Sequence, residues 1–117
     1  MHQYKELKVW QKSIDFAVDL YQSTRTFPKE ELYGMTSQLN RAVISIGSNI
    51  AEGAGRNSDK EFLQFLSYAY GSTCEVDTQL IIASRLKMIE LDKFKKLQNS
   101  LLEIQKMLFS LKSSKRT

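Results

Sequence analysis

The clearest structural signal in the chain is the stretch LDKFKKLQNSLLEIQKMLFSLK, residues 91–112. Its apolar side chains recur in alternating steps of three and four, at Phe94, Leu97, Leu101, Ile104, Leu108 and Leu111. An α-helix turns once in about 3.6 residues, so these side chains form one seam along the helix. Leu102 and Phe109 lie beside the seam, seven residues apart. A seam of this kind is typical of helices packed at shallow angles in a bundle.

Three further stretches show helical periodicity, and residues that stop or start helices bound them. The predicted helices cover about residues 7–25, 36–53, 58–86 and 91–112. Pro28 ends the first helix, because the residue before a proline is driven out of the helical conformation. Gly53-Ala54-Gly55 ends the second, and Ser58 with Glu61 forms a capping box that begins the third.

Length and composition favour one all-α domain over residues 1–117. A chain of 117 residues suits a single core, and five glycines with one proline leave few breaks in regular structure. Four helices joined by short loops pack most simply as an antiparallel up-and-down four-helix bundle. The amino terminus has no apolar export segment and no apolar stretch is long enough for a membrane span, which favours a cytoplasmic protein.

Two helices have more apolar surface than one small bundle can cover. The first has a main stripe of Leu7, Trp10, Ile14, Ala17, Val18 and Tyr21. A second stripe of the first helix, Val9, Phe16 and Leu20, lies about 120° away. The third helix has a second line of Leu63, Tyr70, Cys74 and Ile81, about 115° from its main face. We assign Val9, Phe16, Leu20, Leu63, Tyr70 and Ile81 to an oligomer interface. The sequence therefore predicts a ring-like homo-oligomer.

Catalytic and metal-binding constellations are missing from the sequence. His2 is the only histidine, and the single cysteine, Cys74, lies on a helical stripe where we expect a small buried side chain. Glu75 and Asp77 are two residues apart on a helix and so point to different sides. The aromatic residues fall mostly on core stripes, with Tyr68 as an exposed exception. We predict a protein that is not an enzyme and has no cofactor.

Positive charge is concentrated at the carboxy-terminal end. The net charge is +4, and residues 87–117 contain eight basic and three acidic side chains. The candidate phosphate contacts are Arg41, Lys96, Lys106, Lys112, Lys115 and Arg116. An ordinary solvated charged surface is the alternative interpretation.

Two motifs of the chain are Phe27-Pro28-x-x-Glu31-x-Tyr33-Gly34-Met35-Thr36-x-Gln38-Leu39-x-Arg41-Ala42 and Ser45-Ile46-Gly47-Ser48-Asn49-Ile50-Ala51-Glu52-Gly53. They resemble the bacterial four-helix-bundle family of 23S rRNA intervening sequences, whose members include proteins named S23 ribosomal proteins. The resemblance continues through Glu61-Phe62-Leu63, Ala69-x-Gly71-Ser72 and Glu75-Val76-x-Thr78-Gln79-Leu80. It implies a homopentamer with a central channel. Kinship with the accessory protein of diversity-generating retroelements implies binding to nucleic acid and to a reverse transcriptase.

Polar positions of the family motif are matched residue by residue. They are Ser48, Asn49, Glu52, Gly71, Ser72 and Glu75, beside Arg41. We interpret them as structural, with small residues permitting close packing of helices two and three and with Asn49 and Glu52 satisfying each other or a helix end. Ligand binding is the alternative. Gly47 stands where the family often has proline, so a kink in helix two is left open.

These observations predict a non-enzymatic oligomeric scaffold that binds RNA or DNA through basic surface, with phosphates supplying the affinity. The alternative is a protein-interaction module that holds a polypeptide, such as a reverse transcriptase, without contacting nucleic acid. An enzyme with a cofactor bound inside the bundle is a third, less favoured possibility.

Overall fold

A computed structural model describes residues 2–115, and this part of the chain is entirely helical. The four α-helices are α1 (Lys8–Thr24), α2 (Ser37–Ala54), α3 (Asp59–Arg85) and α4 (Leu91–Lys115). Each predicted helix is present, and no strand occurs between residues 2 and 115. Short 3-10 turns also occur at Tyr4–Glu6 and Lys29–Glu31, and a π-helical turn occurs at Leu32–Thr36. The first and the last of these were not predicted, because segments of three to five residues are too short to show a periodicity. No described helix has the length and apolar character needed to cross a membrane.

One face each of α2, α3 and α4 is buried, although Phe94 and Leu111 at the ends of the predicted α4 seam are only half-buried. Exposure is at most 4% for Leu39, Ala42, Val43, Ile46 and Ile50 of α2, for Phe62, Leu66, Ala69, Val76, Leu80 and Ala83 of α3, and for Leu97, Leu101, Ile104 and Leu108 of α4. Fully burying one such large side chain contributes about 1.5–3 kcal/mol. These faces join one cluster to which all four helices contribute, as expected for a four-helix bundle.

The helices pack around the core in the order of the chain. α1 packs against α2 and α4, and α3 packs against the same two helices, so α2 and α4 lie at diagonal corners. Polar contacts span each interface, among them Thr24–Asn40 at 3.1 Å, Ser45–Ser72 at 2.6 Å, Gln105–Thr73 at 3.0 Å and Lys12–Glu103 at 2.7 Å. The bundle measures 45 × 23 × 20 Å.

The assignment of the two apolar stripes on α1 is wrong. Val9, Phe16 and Leu20 are 4%, 3% and 0% exposed, so they belong to the core and offer no surface to another copy. The stripe expected to serve the core instead leaves Val18 54% exposed and Tyr21 40% exposed. The second stripe of α1 therefore lies in the core, and Val18 and Tyr21 of the main stripe are open to solvent.

Buried polar residues explain this difference from the prediction. Ser13 and Thr24 share the buried face of α1 with the core side chains, and they are 1% and 4% exposed. The Ser13 hydroxyl donates a hydrogen bond to the Val9 carbonyl at 2.7 Å, and the Thr24 hydroxyl donates to Asn40. Because hydrogen bonds satisfy these hydroxyls, burying them costs little. A count of apolar residues leaves Ser13 and Thr24 out and so underrates this face as a core face.

α2 and α3 approach each other closely at Gly53. A Cβ atom added there would lie 2.6 Å from Phe65 Cβ, so only glycine fits without movement. Gly71 is different, because no atom lies within 4 Å of its added Cβ, and the prediction that it permits close packing is wrong. α2 continues as one helix through Gly47, where an added Cβ would lie 3.4 Å from Ile14 Cδ1.

The amino terminus of α3 is capped as the sequence predicts. The Ser58 hydroxyl accepts a hydrogen bond from the Glu61 backbone N–H at 3.2 Å. The same hydroxyl donates to the Glu61 carboxylate at 3.3 Å. A cap of this kind satisfies one of the free N–H groups at a helix start.

Candidate nucleic-acid interface

The six basic residues predicted to contact phosphate do not form one patch. Arg41 is exposed on α2, diagonally across the bundle from α4. Lys115 turns towards the amino terminus, with Nζ 3.3 Å from His2 Nε2 and 4.0 Å from the Asp59 carboxylate. Arg116 lies outside the described residues. The lysines in the body of α4 are therefore the ones to consider.

Lys96 lies on the side of α4 that faces α1. It precedes Glu103 by seven residues, which places the two within about 20° of each other around the helix. Glu103 forms an ion pair with Lys12 of α1 at 2.7 Å. Lys96 is thus separated from the lysines next to α3 and lies beside an acidic side chain.

The opposite side of α4 borders α3, and three contacts locate it. The Gln98 amide donates to Asp77 at 3.2 Å, and the Gln105 amide donates to Thr73 at 3.0 Å. Lys112 Nζ lies 5.4 Å from the centre of the Tyr70 ring. Beginning at Lys112 and turning towards solvent, five α4 residues lie within a sector of about 120°. We call these residues, together with Tyr70 and Cys74 of α3, the α3/α4 face. Its α4 members are Lys95, Leu102, Lys106, Phe109 and Lys112.

Lys112 is held in place by an aromatic ring. Its ammonium group lies above Tyr70, a cation–π contact that contributes about 0.5–1 kcal/mol at a partly exposed site. Both residues are half-buried. The contact directs the long side chain of Lys112 towards α3.

Two large apolar side chains lie between the lysines and are open to solvent. Leu102 is 49% exposed and Phe109 is 62% exposed. They are seven residues apart and therefore almost in line along α4. The face thus combines positive charge with an accessible aromatic ring, and Phe109 was not predicted to be a stacking platform. The position of Phe109 beside the seam was the available signal.

The α3 side of this face corrects one prediction and leaves another open. Cys74 is exposed, so the expectation that it is buried is wrong. Cys74 belongs to the second apolar line of α3, which lies on the side of α3 next to α4. α4 covers this line only in part, because Leu63, Tyr70 and Ile81 are half-buried. Their role at an oligomer interface stays a prediction.

The family-motif residues lie mainly around the contact between α2 and α3. Ser72 accepts a hydrogen bond from Ser45 at 2.6 Å across the two helices. Of the two predicted arrangements, the pairing of Asn49 with Glu52 does not occur, because each has another partner. The Asn49 amide donates to the Ser45 carbonyl at 2.8 Å, and Glu52 pairs with Arg56 at 3.4 Å.

Acidic and exposed motif residues complete this region. Glu75 accepts a hydrogen bond from Gln79 at 3.3 Å, whereas Asp77 contacts Gln98 of α4, so the two carboxylates point to different sides as predicted. Ser48 is exposed. Within residues 2–115, no three histidine, cysteine, aspartate or glutamate side chains come together as a metal site.

These features define a small all-helical bundle protein with a mixed basic and apolar face. Residues 5–110 match the family described as 23S rRNA-intervening sequence protein, and the chain therefore belongs to that family. The resemblance seen in the sequence motifs is confirmed.

A solved structure agrees with this assignment. The chain is similar to the 1.70 Å crystal structure of a protein with unknown function from the S23 ribosomal protein family of Bacteroides thetaiotaomicron VPI-5482. The two are 29% identical, with a TM-score of 0.79, and the match covers 88% of this chain and 96% of that chain. No curated protein matches the chain.

Proposed function

We propose that the protein is a non-enzymatic oligomeric scaffold that binds RNA or DNA through the α3/α4 face. The observation that carries the proposal is the Lys112 ammonium group held over Tyr70, next to exposed Phe109. Lys95 and Lys106 add charge to the same face. Lysines that neutralise phosphates supply most of a sequence-independent affinity. The family description, which refers to an intervening sequence of 23S rRNA, supports an RNA partner and hence a cytoplasmic site of action.

The bundle behind this face is proposed to be antiparallel and up-and-down. Thr24 near the end of α1 contacts Asn40 near the start of α2, and Ser45 in the first half of α2 contacts Ser72 in α3. Gln105 in the second half of α4 contacts Thr73. Gln38 and Ser45 of α2 contact Gln79 and Ser72 of α3, so positions that rise along α2 meet positions that fall along α3. Asp77 and Thr73 of α3 contact Gln98 and Gln105 of α4 in the same opposed sense, which supports this order.

Copies of the chain are proposed to associate through the other edge of the bundle. The α1/α2 face comprises Ile14, Val18 and Tyr21 of α1 and Ile44 of α2, which are between 39% and 54% exposed. An apolar patch of this kind is a preferred site of protein association. Five copies in a ring follow from the family resemblance. Repetition of the α3/α4 face would then strengthen a weak contact through avidity.

Salt-dependent binding tests the nucleic-acid proposal. Binding of a fluorescently labelled RNA and of a DNA of the same length is measured by anisotropy between 50 and 200 mM salt. Lys106→Ala is expected to weaken binding and to lower the slope of log affinity against log salt by about one. Lys96→Ala is the matched control, since it removes a lysine from the α1 side of the same helix. Affinity that ignores salt, or equal effects of both substitutions, would contradict the proposal.

The alternative is a module that holds another polypeptide without touching nucleic acid. The exposed α1/α2 face favours it, because Val18 and Tyr21 offer apolar surface that a protein could cover. Recovery of a defined protein partner after nuclease treatment, with no shift of labelled RNA or DNA, would select this function. Loss of that partner in Val18→Ser would assign it to the α1/α2 face.

A further inference from the structure

We propose that the α3/α4 face prefers single-stranded nucleic acid to duplex, because Phe109 offers its ring to an unpaired base between two lysines. This inference rests on the proposed function and names the form of nucleic acid that the face takes. It is carried by the exposure of Phe109 and by the placement of Lys106 and Lys112 around it.

Phe109 is not needed for the core of the bundle. The seam of α4 is complete without it, because Leu101, Ile104 and Leu108 are at most 1% exposed. Phe109 follows Leu108 directly and is turned about 100° out of the core. At 62% exposure, the ring is open to a flat partner. An aromatic side chain in that position has contact area to offer to a ligand.

Lys106 and Lys112 are placed symmetrically about Phe109 along the helix, although the Lys112 ammonium group is directed towards Tyr70. Lys106 precedes Phe109 by three residues and Lys112 follows it by three, which places each about 4.5 Å from it along the helix axis. Around the helix, each lies about 60° to one side of Phe109. A strand crossing this part of α4 can therefore place phosphates against both ammonium groups while a base covers the ring.

A duplex cannot use this arrangement in the same way. Its bases are paired and stacked inside, so a convex helical face meets mainly phosphates, sugars and groove edges. Phe109 and Leu102 would then be pressed against a charged backbone without gaining a stacking partner. Unpaired bases, in contrast, stack readily on aromatic side chains, and any base can do so.

The test compares one unstructured 20-nucleotide RNA with the duplex that it forms with its complement, both labelled for anisotropy at fixed salt. Phe109→Ala is expected to weaken single-strand binding about five- to hundredfold, the range for loss of one stacked base. Duplex binding should change less than about twofold. Phe109→Tyr keeps a flat ring and should restore single-strand binding, whereas Phe109→Leu should not. Thermal melting and light scattering show whether each variant keeps its fold and size.

The outcomes separate this inference from the proposed function. Equal losses for single strand and duplex, or wild-type binding by Phe109→Leu, would overturn the single-strand preference. A change of oligomer size in Phe109→Ala would also overturn it, since the ring would then belong to a contact between copies. If binding depends on salt and on Lys106 but not on Phe109, only the strand preference is lost. If neither RNA binds, the proposed function itself is lost.

Discussion

Replacing Gly53 with alanine tests the tight contact between α2 and α3. The new Cβ would lie 2.6 Å from Phe65 Cβ and 3.0 Å from Phe62 Cδ1, inside the optimal carbon–carbon separation of about 3.5–4.0 Å. The Phe62 carbonyl oxygen, part of the α3 backbone, would also be only 3.3 Å away. The close atoms include Phe65 Cβ and the α3 backbone, which cannot move away as the end of a flexible side chain can, so the two helices must separate. Overpacking of this kind costs about 1–3 kcal/mol.

Helix propensity acts in the opposite direction and sets the net effect. Alanine is more favourable than glycine in a helix by up to about 1 kcal/mol. We therefore expect Gly53→Ala to lower the free energy of unfolding by about 1–2 kcal/mol and the Tm by about 5–10 °C. Gly71→Ala is the matched control, because nothing lies within 4 Å of its Cβ. It should raise stability by about 0.5–1 kcal/mol.

The assay is urea unfolding followed by circular dichroism, with all variants at one protein concentration because association adds to apparent stability. A Gly53→Ala variant as stable as the wild type would refute the reasoning about the α2–α3 contact. A loss of stability in Gly71→Ala would show that another copy covers Gly71 in the assembled protein.

Three further substitutions test other parts of the structure. Phe16→Ala should lower the free energy of unfolding by about 3–5 kcal/mol, because Phe16 is in the core. A urea midpoint equal to that of the wild type would contradict the core position of Phe16. Val18→Ser should leave the stability of the protomer within about 0.5 kcal/mol but reduce the mass measured by light scattering, and an unchanged mass would remove the α1/α2 face from the oligomer interface. Ser58→Ala should cost about 1 kcal/mol in thermal melts by removing the cap of α3, whereas Ser58→Asp should retain most of it.

Periodicity was sufficient to predict the main buried faces of α2, α3 and α4, because these faces are almost purely apolar. Leu97, Leu101, Ile104 and Leu108 are all in the core, and the capping box at Ser58 marks the start of α3. Helical periodicity and capping depend on residues only a few positions apart. These helices and their buried faces can therefore be predicted from the order of the side chains.

The failure on α1 has a different cause. Its core face includes Ser13 and Thr24, whose hydroxyls are satisfied by bonds that no hydrophobicity pattern reveals. Its other stripe includes Trp10, which is half-buried, so both stripes look suitable for a core. The choice between them depends on which neighbouring helices are present, and that is a property of the whole bundle.

The candidate site could be predicted only in part, for a similar reason. Helical spacing shows that Lys96 and Lys106 lie about 80° apart on α4, but not which of them borders α3. The contact of Lys112 with Tyr70 depends on how α3 and α4 are aligned along their lengths. The position of Phe109 beside the seam could be predicted, but its proposed role in base stacking depends on the lysines around it in the folded protein.

Exposed Cys74 gives this face a built-in reporter position. It is the only cysteine of the chain, and it lies one helical turn after Tyr70. A thiol-reactive fluorophore would therefore attach at a single place without any engineered substitution. Its emission would register the arrival of a ligand at the lysines of α4, and dyes on different copies would report the spacing between subunits by energy transfer.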